Sequence, residues 1–329
     1  MDPQLYGYFL YALALLTMGG IYAVLVLGLN VQWGYTGLFN AGVGGFVAVG
    51  AYTQALLTTP VSTGHIGGIN LPIPLAMGLA MLLSAIIAWG VAKICIRLRA
   101  DYLAIATIGI AEILRLVFKN EIWATNGTRG VGRIPKAFDY LPAPWGALAF
   151  LAMVLVIVGV AWALLRRAHG SPWGRAMTAI REDEAAASAI GKDVEAFRMQ
   201  GFVLGAALMG LGGALFAQYL RQIDPTIGDP LTGTLLVWVM LIAGGSGNNK
   251  GAILGAFLIW AVWSATQITS SYLPNEVVIF GWTVENLQIR SAYLRIFLIG
   301  LILQIILQLR PQGILPERRP VPAPSGRDN

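Results

Sequence analysis

Charge is what this chain has least of. Charged residues make up 12% of it, hydrophobic residues 57%, and mean hydropathy is +0.69. A soluble domain carries about a quarter charged residues, because a water-facing surface needs them. The first 92 residues contain one charged side chain, Asp2. No soluble fold leaves so long a stretch uncharged, so the solvent for much of the chain is lipid. A single cysteine, Cys95, excludes an intrachain disulfide; it lies in an apolar run and reads as a small core residue. The two histidines, His65 and His169, are far apart and have no Cys or acidic residue at ligand spacing, which argues against a metal site. The net charge of +6 does not point to nucleic acid. The basic residues sit at the ends of apolar runs, where the positive-inside rule places them.

About 20 apolar residues cross a bilayer as a helix, the form in which a chain segment satisfies its own backbone in hydrocarbon. Nine segments qualify: 5–29, 40–58, 72–96, 100–118, 145–165, 199–220, 231–246, 252–271 and 291–309. The first lacks a basic n-region and is too long for a signal-peptide core, so it reads as a membrane span. Segments 40–58 and 231–246 are the weakest, being glycine-rich or short. The expected fold is all-α: a polytopic transmembrane bundle of about eight to ten spans, with a helical cytoplasmic loop. The connections on one side hold 14 Lys and Arg, those on the other six. The richer side is expected to be cytoplasmic. Nine crossings put the N-terminus outside; a re-entrant 31–58 would put it inside. Residues 1–310 form the membrane domain. The tail 311–329 has five prolines and no apolar periodicity, and is expected to be disordered.

Three motifs invite a chemical reading. Gly244–Lys250 superficially resembles a phosphate loop, but Asn249 precedes the lysine and Gly251 follows it, where a phosphate loop needs glycine and then Ser or Thr. It reads as a tight turn between two helices, and the chain has no recognisable nucleotide site of its own. Glu112 and Arg115 lie three apart within a span, on one helix face, as a structural ion pair or a pathway element. No further carboxylates at depth suggest a proton relay. Glycines at 201, 205, 212 and 213, and at 251 and 255, allow helices to approach closely.

The most informative segment is the connection 166–198, with 11 charged side chains in 33 residues. Ser171 and Pro172 suit a helix start. A first helix runs to about Ile180, and a second from about Asp183 to Ile190, where Gly191 ends it. Small side chains at Ala185 and Ala186, beside the cluster Arg181, Glu182, Asp183 and Glu184, suit docking into a groove of another protein.

Residues 179–186, Ala-Ile-Arg-Glu-Asp-Glu-Ala-Ala, followed by Gly191, resemble the cytoplasmic loop of permeases of the high-affinity branched-chain amino acid ABC importers, the LivH/LivM family. Leu29-Asn30 leading to Gly34-Tyr35-Thr36-Gly37, then Gly50-Ala51-Tyr52, is similar to that family on its LivM side. So are the central segment formed by 101–107 and 112–116, then Gly244-Gly245-Ser246-Gly247 and Arg310-Pro311-Gln312-Gly313. The resemblance spans roughly 5–315 and rests on five motifs in order. One departure stands out: the importer motif Glu-Ala-Ala-x-x-x-Gly has three residues before its glycine, and from Glu184 this chain has four. The resemblance implies a non-enzymatic transport subunit in the bacterial inner membrane. It implies a sister permease, two cytoplasmic ATPase subunits and a periplasmic binding protein, with 181–186 and Gly191 coupling to the ATPase. A branched-chain amino acid is the implied substrate, with urea or short amides as the alternative and a secondary transporter as a more distant one.

Overall fold

A computed structural model describes residues 3–317, apart from 63, 272–273, 275, 280–281 and 286. The principal helices are α1 (Pro3–Leu29), α2 (Val43–Thr58), α3 (Ile73–Cys95), α4 (Ala100–Asn120), the short α5 (Ile122–Thr125) and α6 (Trp145–His169). They continue with α7 (Pro172–Glu182), α8 (Glu184–Ala189), α9 (Val194–Leu220), α10 (Leu236–Gly244), α11 (Asn249–Ser271) and α12 (Leu287–Leu309). A small hairpin between α11 and α12, β1 (Glu276–Ile279) with β2 (Trp282–Glu285), is the exception to an otherwise helical bundle.

Among the described residues, five helices are long and apolar enough to cross a membrane: Gln4–Tyr35, Ile73–Cys95, Trp145–His169, Val194–Leu220 and Asn249–Thr269. Their outer faces carry Leu82, Ile86, Trp89, Val156, Val160 and Leu164, all exposed. Side chains of that kind in a continuous band belong in lipid, not water. The chain is a multi-pass membrane protein.

All nine apolar segments of the sequence form helix, but two crossings differ from expectation. At about 1.5 Å per residue, the 16 residues of α2 reach about 24 Å and the 9 of α10 about 14 Å. The hydrocarbon core is about 30 Å thick. Each is preceded by a segment that is not regular α-helix: 36–42 before α2, and 221–235 before α10, where a 3₁₀ turn (Pro225–Gly228) leads into a π-turn (Pro230–Leu235). These segments complete the crossings. Hydropathy gives only the apolar parts of these crossings: 36–42 blends into its neighbours, while the polar 221–230 reads as a loop outside the membrane. Such backbone is tolerated at membrane depth only when protein covers it.

Helix α9 is the axis, with α1, α2 and α3 around it. Glycine sets these contacts. A Cβ on Gly28 would lie 2.6 Å from the Gly205 carbonyl oxygen, and one on Gly213 would lie 2.9 Å from the Ala51 nitrogen. The small-residue pattern of the sequence is therefore packing. Cys95 is buried, as expected of a core residue.

The bundle has two distinct ends. At one, Gly34, Tyr35, His169, Arg181, Asn249 and Glu317 meet, and Arg97 pairs with Glu195 at 3.0 Å. This is the basic end, fed by the arginine-rich connections. At the far end, Val131 and Ile223 form a backbone bridge, and Ile66 N–H donates to Ala124 O at 3.1 Å. There Arg221 pairs with Asp139, and the Lys136 ammonium lies 4.5 Å from the Phe150 ring centroid. Burial, then the Arg221 charge, holds the Lys136 pKa below its ordinary value, with Asp139 opposing.

Candidate functional site

The connection between α6 and α9 folds as two helices close to the expected bounds. Helix α7 is amphipathic: Gly174, Ala176, Met177 and Ile180 are buried against the bundle. Arg181 follows Met177 by four residues, so it shares that inward face. It is 20% exposed, donates to the Gly34 carbonyl and donates at 2.8 Å to the Glu317 carboxylate. Glu317 is presented by a segment that closes over the α10–α11 turn. Ile314 N–H donates to Ala243 O at 3.0 Å, and Leu315 N–H donates to Gly244 O at 2.9 Å. One guanidinium thus joins α7, the end of the first span and the C-terminal segment.

This corrects two expectations. The charges of 181–184 do not act as one outward cluster. Arg181 turns inward, Asp183 caps α8 by accepting from Ala186 N–H at 2.9 Å, and Glu184 accepts from Arg198 of α9 at 3.0 Å. Glu182 stays exposed. The exposed side of 182–190 carries Ala185, Ala186 and Ile190 beside Glu182, Asp183, Glu184 and Ser188, while Ala187 is buried. Gly191 ends the second helix at φ +79°, a conformation that glycine adopts without cost. The second correction concerns the tail. Residues 313–315 are hydrogen-bonded into the basic end, because Gly313 and Gly245 pack backbone against backbone there. The rest of the tail, 318–329, lies outside the described residues.

Between the basic end and the middle of the bundle, the irregular segment 36–42 is held by neutral polar side chains. Gln32 is fully buried; it donates to Phe202 O at 2.8 Å and accepts from Asn40 Nδ2 at 2.8 Å. Asn40 accepts from Gly42 N–H at 2.8 Å, and its carbonyl accepts from the Trp238 indole at 2.9 Å. The N–H groups of Ala41 and Gly44 donate to Thr107 and Thr234. On the other side, Asn249 accepts from Asn30 and from the Tyr35 hydroxyl at 2.8 and 2.7 Å, while Asn30 accepts from Gly247 N–H at 2.8 Å. His169 stacks on Tyr35, with ring centroids 4.4 Å apart. A buried polar group without a partner is costly; here nearly every donor freed by the break finds an acceptor. The turn resembling a phosphate loop is part of this network, and Gly245 and Gly247 have positive φ. No group of metal-binding side chains occurs among the described residues.

Sequence reasoning did not single out Asn30, Gln32, Asn40, Asn249 or Glu317 as site residues. A signal was available for the first three: polar side chains inside apolar runs mark functional positions in membranes.

Glu112 and Arg115 pair as their spacing predicts, through two contacts of 2.5 and 2.8 Å. Their side chains are 38% and 25% exposed, so this is not a deeply buried pair. Exposed Ile108, Ile113 and Leu116 lie around it on α4, and the Arg115 stem lies beside Gly228. In that apolar surround a lone charge is worse than none. Arg115→Met and Glu112→Gln are each expected to lower the yield of monodisperse protein, and the double variant to restore most of it. Equal yields for all three would show that the pair matters neither to folding nor to assembly.

Taken together, the apolar belts, two interrupted crossings and a helical loop bonded to the membrane core define a multi-pass membrane protein. Comparison with known proteins identifies it further. Residues 11–307 match the family described as the branched-chain amino acid transport system permease component, and the chain belongs to that family. It is similar to the permease protein LivM of the high-affinity branched-chain amino acid transport system of Salmonella typhimurium, 31% identical over 92% of this chain and 70% of the relative. The Escherichia coli LivM is likewise 31% identical, over 94% and 70%. A probable LivM of Methanocaldococcus jannaschii is 26% identical over 91% of each. No solved structure matches.

Proposed function

We propose that this chain is the membrane-spanning permease subunit of an ATP-driven importer for branched-chain amino acids in a bacterial inner membrane. It pairs with a sister permease. Two ATPase subunits bind ATP and dock on α7 and α8, and a periplasmic protein delivers substrate at the far end. The basic end faces the cytoplasm, as its arginine-rich connections favour. The observation that carries the reading is Arg181. A loop that only linked two spans would have no need of a buried guanidinium tied to both the first span and the C-terminal segment. A movement imposed on α7 by a partner must travel along that bond. The exposed Ala185, Ala186 and Ile190 supply the apolar contact area, and Gly191 the stop that keeps α8 short.

The test is reconstitution with the candidate partners and ATP-dependent uptake of radiolabelled leucine, urea and short amides. Leucine uptake that requires both ATP and the binding protein is expected. Uptake of urea or amides alone would move the assignment to that substrate class, and uptake without ATP would overturn the importer reading.

A further inference from the structure

At the far end, under the connection 222–233, the bundle encloses a cavity of about 200 Å³. Tyr22 and Leu25 of α1, Val47 of α2 and Phe216 of α9 form its walls, with Gln222 and Asp224 at the rim. Three features of it are unusual. Asp224 is charged but has no Lys or Arg within ion-pair distance among the described residues. One of its oxygens caps its own turn, accepting from Thr226 N–H at 2.7 Å and from the Thr226 hydroxyl at 2.5 Å; the other has no protein donor among those residues. Tyr22, only 5% exposed, turns one of the few polar side chains of α1 into the cavity lining. Thirdly, the floor is sealed. Below Leu25, Gly28 and Gly205 bring α1 and α9 into backbone contact, and Gln32 is bonded across to Phe202.

We propose that this cavity is the permease's own substrate site, open to the far end and closed toward the basic end, and that it takes an aliphatic α-amino acid. The inference rests on the importer reading and adds the residues that meet the substrate. The volume falls below the roughly 300–1,000 Å³ of sites for drug-sized ligands, which points to a very small molecule. Asp224 supplies the counter-charge for an α-ammonium. Leu25, Val47 and Phe216 receive the aliphatic side chain, and Tyr22 and Gln222 are donors for the carboxylate. A 2-oxo acid would bring no cation to Asp224, and urea would leave the apolar walls unfilled.

The test uses the full reconstituted transporter. Asp224→Asn keeps the turn cap and removes only the charge; it is expected to lower leucine uptake at least tenfold at a fixed concentration of loaded binding protein. Phe216→Leu widens the cavity and is expected to raise the ratio of phenylalanine to leucine uptake at least fivefold, a change in selectivity that loss of folding cannot produce. Complex yield on gel filtration controls for assembly. Should Asp224→Asn fail to assemble, the ratio in Phe216→Leu decides. If the wild type takes up leucine while both variants match it in rate and selectivity, the cavity is not the substrate site and the importer reading stands. If the wild type takes up urea and no amino acid, both readings fall.

Discussion

Replacing Arg181 with alanine is expected to uncouple the transporter without unfolding it. The substitution leaves the Gly34 carbonyl and the Glu317 carboxylate without their shared donor. A hydrogen bond to a charged group contributes about 1.5–3 kcal/mol. Both side chains are 20% exposed, so solvent screening places the loss toward the lower end of that range. Against a typical folding stability of about 5–15 kcal/mol, the chain survives. The mechanical link does not, because α7 is then held to the end of the first span by apolar contacts alone. ATP-driven uptake in the reconstituted complex should fall at least tenfold. Glu317→Ala should do nearly the same, and the double variant should be no worse than the poorer single, since the two residues act as one unit. Arg181→Lys should recover only part, because one ammonium cannot reproduce the planar fork that serves both acceptors. Additive losses from the two single variants, or full uptake by Arg181→Ala, would mean that coupling runs by another route.

The other large effect is on folding. Gly50 of α2 faces the backbone of Gly210 on α9. A Cβ there would overlap the Gly210 carbonyl oxygen and lie 2.6 Å from its Cα. Gly210 is itself hemmed in on its other side, its own Cβ position lying 2.6 Å from Ser84 Cβ of α3. Overpacking a core costs about 1–3 kcal/mol when side chains can shift. Here the obstacle is backbone on the central helix, so Gly50→Leu should exceed that range and leave little folded protein. Gly78→Leu on α3 is the matched control, since a Cβ at Gly78 meets nothing within 4 Å. Recovery of monodisperse protein in detergent and its thermal midpoint are the readouts. Equal midpoints for the two variants would refute the tight three-helix contact.

Much of this was legible in one dimension. The near-absence of charge in the first 92 residues fixes lipid as the solvent, because no fold can hide that much apolar surface from water. The helical segments follow from hydropathy, and the two helices of 172–189 from their punctuation by Ser171, Pro172, Asp183 and Gly191. Glu112 and Arg115 pair because three residues is a local distance on a helix, fixed before any tertiary contact forms. Only the tertiary structure decided the rest. Arg181 belongs to the bundle and not to the partner face, because Met177 and Ile180 turn α7 so that its next turn points inward. The crossings at α2 and α10 are each part helix and part irregular chain. A hydropathy average cannot see this, since what makes a break tolerable is a polar partner far away in sequence. Asn30 meets Asn249 across 219 positions, and Trp238 meets Asn40 across 198. The docking of Ile314 and Leu315 on α10 likewise required that end of the bundle to exist first. Local spacing and solvent preference are properties of the chain. The pairing of buried polar groups is a property of how its helices pack.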